Sequence, residues 1–321
     1  MKKHLFLLLT VLAICCIPCT DLEEKNKQLQ EKITELQSQN QELSYLADHS
    51  EVVLANTEWK ELTSEFNGQT YTIKVKLPRG YESETATYPV LYVTDAETNF
   101  GGIPYIVQRL IKDQLIPPML VVGIAFDTDY STFYKLRSRD LPPIEDKELT
   151  FESNKKPDPT GGAGDFSKFL SQELFPFIAE TYRINPEERA LYGHSYGGLF
   201  GAYVLLNRPE LFNRYLLLSP SLWYYDEMML EEVNAANLDV EPTQLYMASG
   251  EFEGRIDDLQ VEFVDRLSAR NIENLAIEAE VMDNETHRTI FGPGFTNGMR
   301  YLYKDFKKRR SESNYRSREW V

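Results

Sequence analysis

Gly193-His194-Ser195-Tyr196-Gly197 is a G-x-S-x-G pentapeptide set between a strand pattern and a helix pattern. Residues 189–192 are short and apolar enough for a buried strand, and residues 198–206 are apolar on nearly every side, as in a helix packed on a sheet. A serine on so sharp a turn is lifted clear of the sheet, and glycines on both sides let the strand and helix backbones approach. The start of the helix points N–H groups and a positive dipole end at any anion formed there. A glycine-rich turn whose serine merely caps the helix would carry the same five residues, so the rest of the site must come from elsewhere in the chain.

The surrounding pattern supplies a sheet to mount that turn on. Residues 51–56 and 69–77 read as an opening antiparallel pair, the second with strict alternation. Residues 89–94 and 119–126 are denser in apolar residues, as buried parallel strands are. Further strands are expected at 215–218, 244–248 and 275–281, and helices at 103–115, 165–182, 256–270 and 298–306. Strand–helix alternation of this kind predicts an α/β fold with one mostly parallel central sheet and helices on both faces.

The N-terminal region is different. Lys2, Lys3 and His4 precede an apolar run over residues 5–14, which is short for a membrane span and suits an export signal. All three cysteines (Cys15, Cys16 and Cys19) sit at its end, as in a bacterial lipoprotein whose cysteine becomes the lipidated first residue. An ordinary cleaved signal and an uncleaved anchor are the alternatives. After it, Leu22, Leu29, Leu36 and Leu43 recur every seven residues, with Ile33, Asn40 and Ala47 at the alternate seam positions. That heptad pattern predicts a helical coiled-coil stalk and so allows homo-oligomers, the alternative being a solvated helical spacer. The expected organisation is a signal at 1–19, a stalk at 20–48, a catalytic domain at 49–308 and a charged tail at 309–321.

A serine hydroxyl needs a base to take its proton, usually a histidine, and the chain has four. His4 lies in the signal, His49 ends the stalk, and His194 adjoins the serine and cannot easily turn back onto its neighbour's oxygen. His287, in a loop between a strand and a helical region, is left as the base. A carboxylate between serine and histidine should orient the imidazole. The loop at 250–254 offers Glu253, with Glu251 as second choice and a Ser–His dyad without an acid as a third reading. Two backbone N–H donors should face the developing oxyanion: that of Tyr196, and one from the loop Thr94-Asp95-Ala96-Glu97, at Ala96 or Glu97. Trp223, with Tyr224 and Tyr225, could wall an acyl or aryl pocket or pack in the core. Arg137 or Arg139 could steady an anionic substrate or form a surface ion pair.

Gly161-Gly162-Ala163, Phe169-Leu170, Glu173-Leu174-Phe175-Pro176, the pentapeptide with Gly198, and Ser219-Pro220-Ser221-Leu222-Trp223 occur in that order. Together they resemble the putative esterase family of α/β-hydrolases, which includes esterase D, feruloyl esterases and the enterochelin (siderophore) esterases. The segment Arg137–Pro143 is similar to an arginine-containing stretch of that group, and Glu285-Thr286-His287 to its histidine loop. The resemblance spans about residues 55 to 306. It implies an α/β-hydrolase fold and carboxylic-ester hydrolysis with Ser195 as nucleophile and His287 as base. The Gly-x-x-Glu form at 250–253 is closest to siderophore-type members, which implies Glu253 as the acid. The chain departs from the family at Thr94-Asp95-Ala96-Glu97, where the oxyanion loop more usually has Asp-Gly.

The function expected is an exported serine esterase of the cell envelope, membrane-anchored as a lipoprotein in the periplasm or on the cell surface. Its substrate would be a small-molecule or oligosaccharide ester, siderophore-like or feruloyl/acetyl-like. No cofactor and no metal are called for. A net charge of −16 offers no basic surface for a nucleic acid. The same residues would also serve a peptidase or an acyltransferase, and an idle hydrolase fold used for envelope binding would share everything but the chemistry.

Overall fold

The dense apolar runs become the strands of an eight-stranded sheet with the order β1-β2-β4-β3-β5-β6-β7-β8. The strands are β1 Thr57–Thr63, β2 Thr70–Lys76, β3 Tyr88–Val93, β4 Leu120–Ala125, β5 Ile184–His194, β6 Arg214–Leu218, β7 Thr243–Gly250 and β8 Leu275–Met282. The computed structural model describes residues 24–37, 54–148 and 159–308. The chain divides into two units, Met1–Ala55 and Asn56–Val321. Cys15, Cys16, Cys19, most of the heptad seam and the tail 309–321 lie outside the described residues.

In the first unit, residues 24–37 are helical, and the seam residues Leu29, Ile33 and Leu36 are exposed on the single chain. No helix among the described residues is long and apolar enough to cross a membrane.

In the second unit, β1 and β2 pair antiparallel, β2 joins β4 antiparallel, and every pairing from β4 through β8 is parallel. Every residue of β3 and β4 is buried, as both-face burial of a parallel sheet demands. Of the strand expected at 51–56, residues 51–53 lie outside the described residues, and the first strand described is β1. Residues 54–56 lead into β1, whose polar sequence Thr-Glu-Trp-Lys-Glu-Leu-Thr suits an exposed edge and hides it from an apolarity reading.

The helices are α1 Ala96–Asn99, α2 Ile103–Lys112, α3 Tyr130–Asp140, α4 Ala163–Phe169, α5 Phe175–Thr181, α6 Tyr196–Asn207, α7 Tyr224–Ala235, α8 Arg255–Ala269, α9 Phe291–Leu302 and α10 Lys304–Lys308. The single helix expected at 165–182 is α4 and α5 joined by a wider π-turn over Leu170–Leu174. Pro176 explains the break, since it lacks an N–H and its ring crowds the carbonyl four residues back.

Side-chain alternation along β6 shows how both faces are covered. Leu217 packs against Gly201 of α6, whereas Leu216 and Leu218 pack against Gly298 and Gly294 of α9. The two helices therefore sandwich the sheet at β6, the strand beside β5. Because β3, β5, β6, β7 and β8 run parallel, the loops after them open at one edge of the sheet, where α/β folds place their ligands.

Candidate active site

Ser195 is the single residue between β5 and α6, and its backbone is held at φ 60°, ψ −115°. A side chain in that region costs on the order of 1–3 kcal/mol, so the surroundings must enforce it. They do so through three main-chain bonds: Ser195 N–H to Leu218 O (3.0 Å), Leu199 N–H to Ser195 O (2.9 Å) and Ser221 N–H to Ser195 O (3.1 Å). Glycine is required beside it, because a Cβ on Gly193 would lie 2.0 Å from Gly197 O. Gly197 in turn admits Thr94, whose Oγ1 would be 2.3 Å from a Cβ there. The loop after β3 thus lies directly against the first turn of α6.

That loop carries Asp95 in a left-handed conformation (φ 53°) and then Ala96, the buried first residue of α1. The N–H of a first helical residue is not used by its own helix. Tyr196, first in α6, presents its N–H at the positive end of that helix. Two struts fix the Ala96 loop. Arg137 of α3 grips Asp95 bidentately, Nε to Oδ1 at 2.9 Å and Nη2 to Oδ2 at 2.8 Å. Glu97 accepts bonds from the N–H groups of Phe126 and Asp127, just past β4. Burial pushes the Glu97 carboxyl above its ordinary pKa, a push that these N–H donors only partly offset.

Arg137 therefore does not take the substrate-facing place expected for it. Its side chain is only 9 % exposed, two of its three guanidinium nitrogens are bound by Asp95, and its guanidinium lies 5.1 Å from the centre of the Tyr196 ring. Asp95 is the physical reason: a buried carboxylate in the loop demands the cation. Arg139 is likewise committed, pairing with Asp140 at 2.6 Å.

His287, in the loop after β8, comes together with Glu253, in the loop after β7. The distance from His287 Nδ1 to Glu253 Oε2 is 2.7 Å. The Glu253 side chain is 1 % exposed and that of His287 37 %. The other oxygen of Glu253 accepts the Ser219 hydroxyl at 2.7 Å and the Gly250 N–H at 2.6 Å. Burial alone would raise the Glu253 pKa, but the bonds from His287, Ser219 and Gly250 outweigh it and hold the carboxyl below its ordinary range. Glu251, the second candidate, points elsewhere and accepts the Asn284 N–H at 2.9 Å, while Phe252 N–H reaches Glu285 O at 3.1 Å. Both contacts zip the loop after β7 to the histidine loop.

Ser195 Oγ lies 3.3 Å from Ser221 Oγ, and among the described residues it makes no hydrogen bond to His287. Hydrogen bonds of a reacting serine are often long or poorly aligned before substrate binds. Ser219 and Ser221, which contact Glu253 and Ser195, are visible in sequence only as members of a motif. Nothing in their spacing indicated what they touch.

Beyond Ser221, Trp223 and Tyr225 are 38 % and 45 % exposed, while Tyr224 is fully buried with its hydroxyl bound to Ile144 O. The two exposed rings line a cleft of about 810 Å³ with Ile144, Glu145, Asp146, Lys147, Glu148 and Asp226. Trp223 belongs to the cleft wall and Tyr224 to the core. Among the described residues no cluster of His, Cys, Asp and Glu is arranged to hold a metal ion.

Residues 64–290 match the model of the family described as Putative esterase. The ferri-bacillibactin esterase of Bacillus subtilis is 27 % identical over 261 residues, 77 % of this chain and 90 % of that protein. The siderophore triacetylfusarinine C esterase of Aspergillus fumigatus is 27 % identical over 244 residues, 73 % of this chain and 80 % of that protein. Among solved structures, an IroE-like serine hydrolase from Shewanella oneidensis superposes with a TM-score of 0.69 at 31 % identity, covering 78 % of this chain and 80 % of that one. The match covers well over half of the chain, and the relatives that carry it are esterases: this chain belongs to the putative esterase family and is an ester hydrolase.

Proposed function

We propose that the chain hydrolyses carboxylic esters through an acyl-enzyme on Ser195, with His287 as general base and Glu253 as the carboxylate that orients it. The observation that carries this reading is the 2.7 Å Nδ1–Oε2 contact between His287 and the buried Glu253, at the sheet edge where Ser195 stands. Glu253 fixes the imidazole with its proton on Nδ1, leaving Nε2 to accept a proton from Ser195 Oγ. The serine oxygen adds to the ester carbonyl, and the N–H groups of Tyr196 and Ala96 receive the oxyanion. Collapse breaks the bond to the alcohol oxygen, which leaves with the proton from His287. A water then repeats the sequence on the acyl-enzyme, releasing the acid and restoring Ser195.

The substrate class we assign is the ester of a siderophore or a like multi-ester. The names of the Bacillus and Aspergillus relatives support it, as does the aromatic-lined cleft beside Ser221. The place of action we assign is the cell envelope, with the chain held at the membrane through Cys15, Cys16 or Cys19 and paired with a second copy along the stalk. The export-like N-terminus and the bare seam of Leu29, Ile33 and Leu36 support that part.

Turnover of a catecholate triester, a feruloyl sugar and short aryl esters by the wild type and by Ser195→Ala tests the chemistry. The expected result is triester cleavage lost in Ser195→Ala by about four orders of magnitude. Cleavage that survives the substitution overturns the mechanism, and preference for the feruloyl sugar overturns the substrate class.

A further inference from the structure

His194 ends β5, one residue before Ser195, and the reaction just described gives it no task. Its Nε2 lies 2.6 Å from the main-chain carbonyl oxygen of His287. The two imidazole rings sit 4.6 Å apart between centroids, inclined at 42°. A carbonyl oxygen only accepts, so the proton resides on Nε2 of His194.

The direction of this contact distinguishes it from the other tethers of the histidine loop. Glu253 holds residue 287 and Glu251 holds residue 284 from the β7 side, and Phe252 N–H holds residue 285 from the same side. The hydroxyl bonds between Thr286 and Thr289 stay within the loop. Among the described residues, the bond from His194 is the one hydrogen bond joining that loop to β5, the strand that leads to Ser195. The acid side holds the His287 ring through Nδ1, and His194 holds the His287 main chain from the β5 side.

Resting on the Ser195–His287 reading, we propose that His194 is a positioning residue, setting the gap between nucleophile and general base by donating its Nε2–H to the carbonyl of His287. The charged and titratable groups facing it are His287, Asp95 and Arg137. Burial, reinforced by the charge of His287, pushes the pKa of His194 down to about 4. His194 thus stays neutral beside His287, which must itself become cationic as the serine proton is taken. A misplacement of about 1 Å between reacting groups is enough to cost on the order of a hundredfold in rate.

Two substitutions in the full chain separate the donor from the ring. His194→Phe keeps a ring against His287 and loses the N–H; His194→Gln keeps an N–H donor and loses the ring. The Phe variant is expected to lower kcat by about ten- to a hundredfold with KM nearly unchanged, and the Gln variant to stay within about threefold of wild type. Wild-type kcat in the Phe variant overturns the inference, as does a Gln variant as slow as Phe. Amide hydrogen exchange across residues 285–290 reads the same tether without turnover: faster in Phe, wild-type-like in Gln. Unchanged exchange in the Phe variant also overturns it. If the wild type cleaves no ester, the esterase reading has failed, while the exchange measurement still decides the role of His194.

Discussion

The two sides of Ser195 are built differently. On the His287 side, Glu253 is bound by three donors, Glu251 and Phe252 zip the neighbouring loop, and His194 ties that loop to β5. On the cleft side, Trp223 and Tyr225 are half-exposed, and Tyr225, Asp226 and Glu227 take left-handed backbone in succession (φ 47°, 51° and 61°). Such a run costs about 1–2 kcal/mol per residue, and Glu227 within it is tied by an ion pair to Arg255. The difference separates what the reaction demands from what a substrate demands. Proton transfer needs fixed distances and is over-determined, whereas on the proposed reading the wall offered to the substrate is the looser side, with two rings part-exposed.

The sharpest way to break that contrast is at the acid. Glu253→Gln preserves shape and removes the charge that holds His287 in its tautomer, so kcat should fall by roughly a thousand- to ten-thousandfold. Glu251→Gln, which only weakens an exposed bond to the Asn284 N–H, should change kcat by less than about threefold. Steady-state kinetics of the two variants reads the difference. Equal losses would mean that the whole loop, and not one carboxylate, is what matters.

Next in size is the buried pair under the Ala96 loop. Arg137→Met leaves Asp95 as an unpaired charge with little access to water, which should destabilise the fold by about 3–5 kcal/mol in urea unfolding. Adding Asp95→Asn should recover part of that loss, since the cost lies in the orphaned charge rather than in the missing contact. Recovery of stability without recovery of activity would extend the over-determined region to the oxyanion loop. Recovery of both would confine it to His287.

A smaller effect is set by pH. The His194 pKa lies near 4 in the folded chain against 6.5 when unperturbed, so between those values the unfolded chain binds the extra proton. Stability from this group is then complete above about pH 6.5 and is lost as pH falls toward 4, by roughly 3 kcal/mol in all. Urea midpoints at pH 7 and pH 5 in wild type and in His194→Gln, which cannot titrate, should show a flatter dependence in the variant. Equal slopes would mean that His194 is hydrated and already charged, and the tight side of the site is looser than its geometry suggests.

How much of this was legible in the sequence follows from what kind of interaction each feature is. The parallel strands were readable because burial on both faces forces near-continuous apolar runs, as at 89–94 and 119–126. β1 was not, because an exposed edge tolerates Glu58, Lys60 and Glu61. Elimination among four histidines points to His287, and chain order to the loop of Glu251 and Glu253; the structure pairs His287 with Glu253. Roles defined by long-range contact leave no local signal. His194 adjoins the serine and offers the sequence no role, yet its partner lies 93 residues on. Arg137 reads in sequence as a possible substrate contact, because sequence does not reveal that Asp95, 42 residues earlier, claims it.

The smallest effect tests the loose side directly. Trp223 is 38 % exposed at the mouth of the cleft and lies 6.1 Å, ring centre to ring centre, from the Tyr196 ring. It makes no side-chain hydrogen bond among the described residues and packs on Tyr196 and Tyr224, so on the proposed reading what it offers a substrate is contact area. Trp223→Ala should raise KM for an aromatic ester by about three- to tenfold, with kcat within about twofold and stability changed by less than about 1 kcal/mol. For an acetyl ester of the same alcohol, KM should move little if Trp223 meets the acyl group. It should move as much as for the aromatic ester if Trp223 meets the alcohol. A drop in kcat with unchanged KM would instead place Trp223 with the groups that hold Ser195, and the boundary between the fixed and the loose side would have to be drawn beyond it.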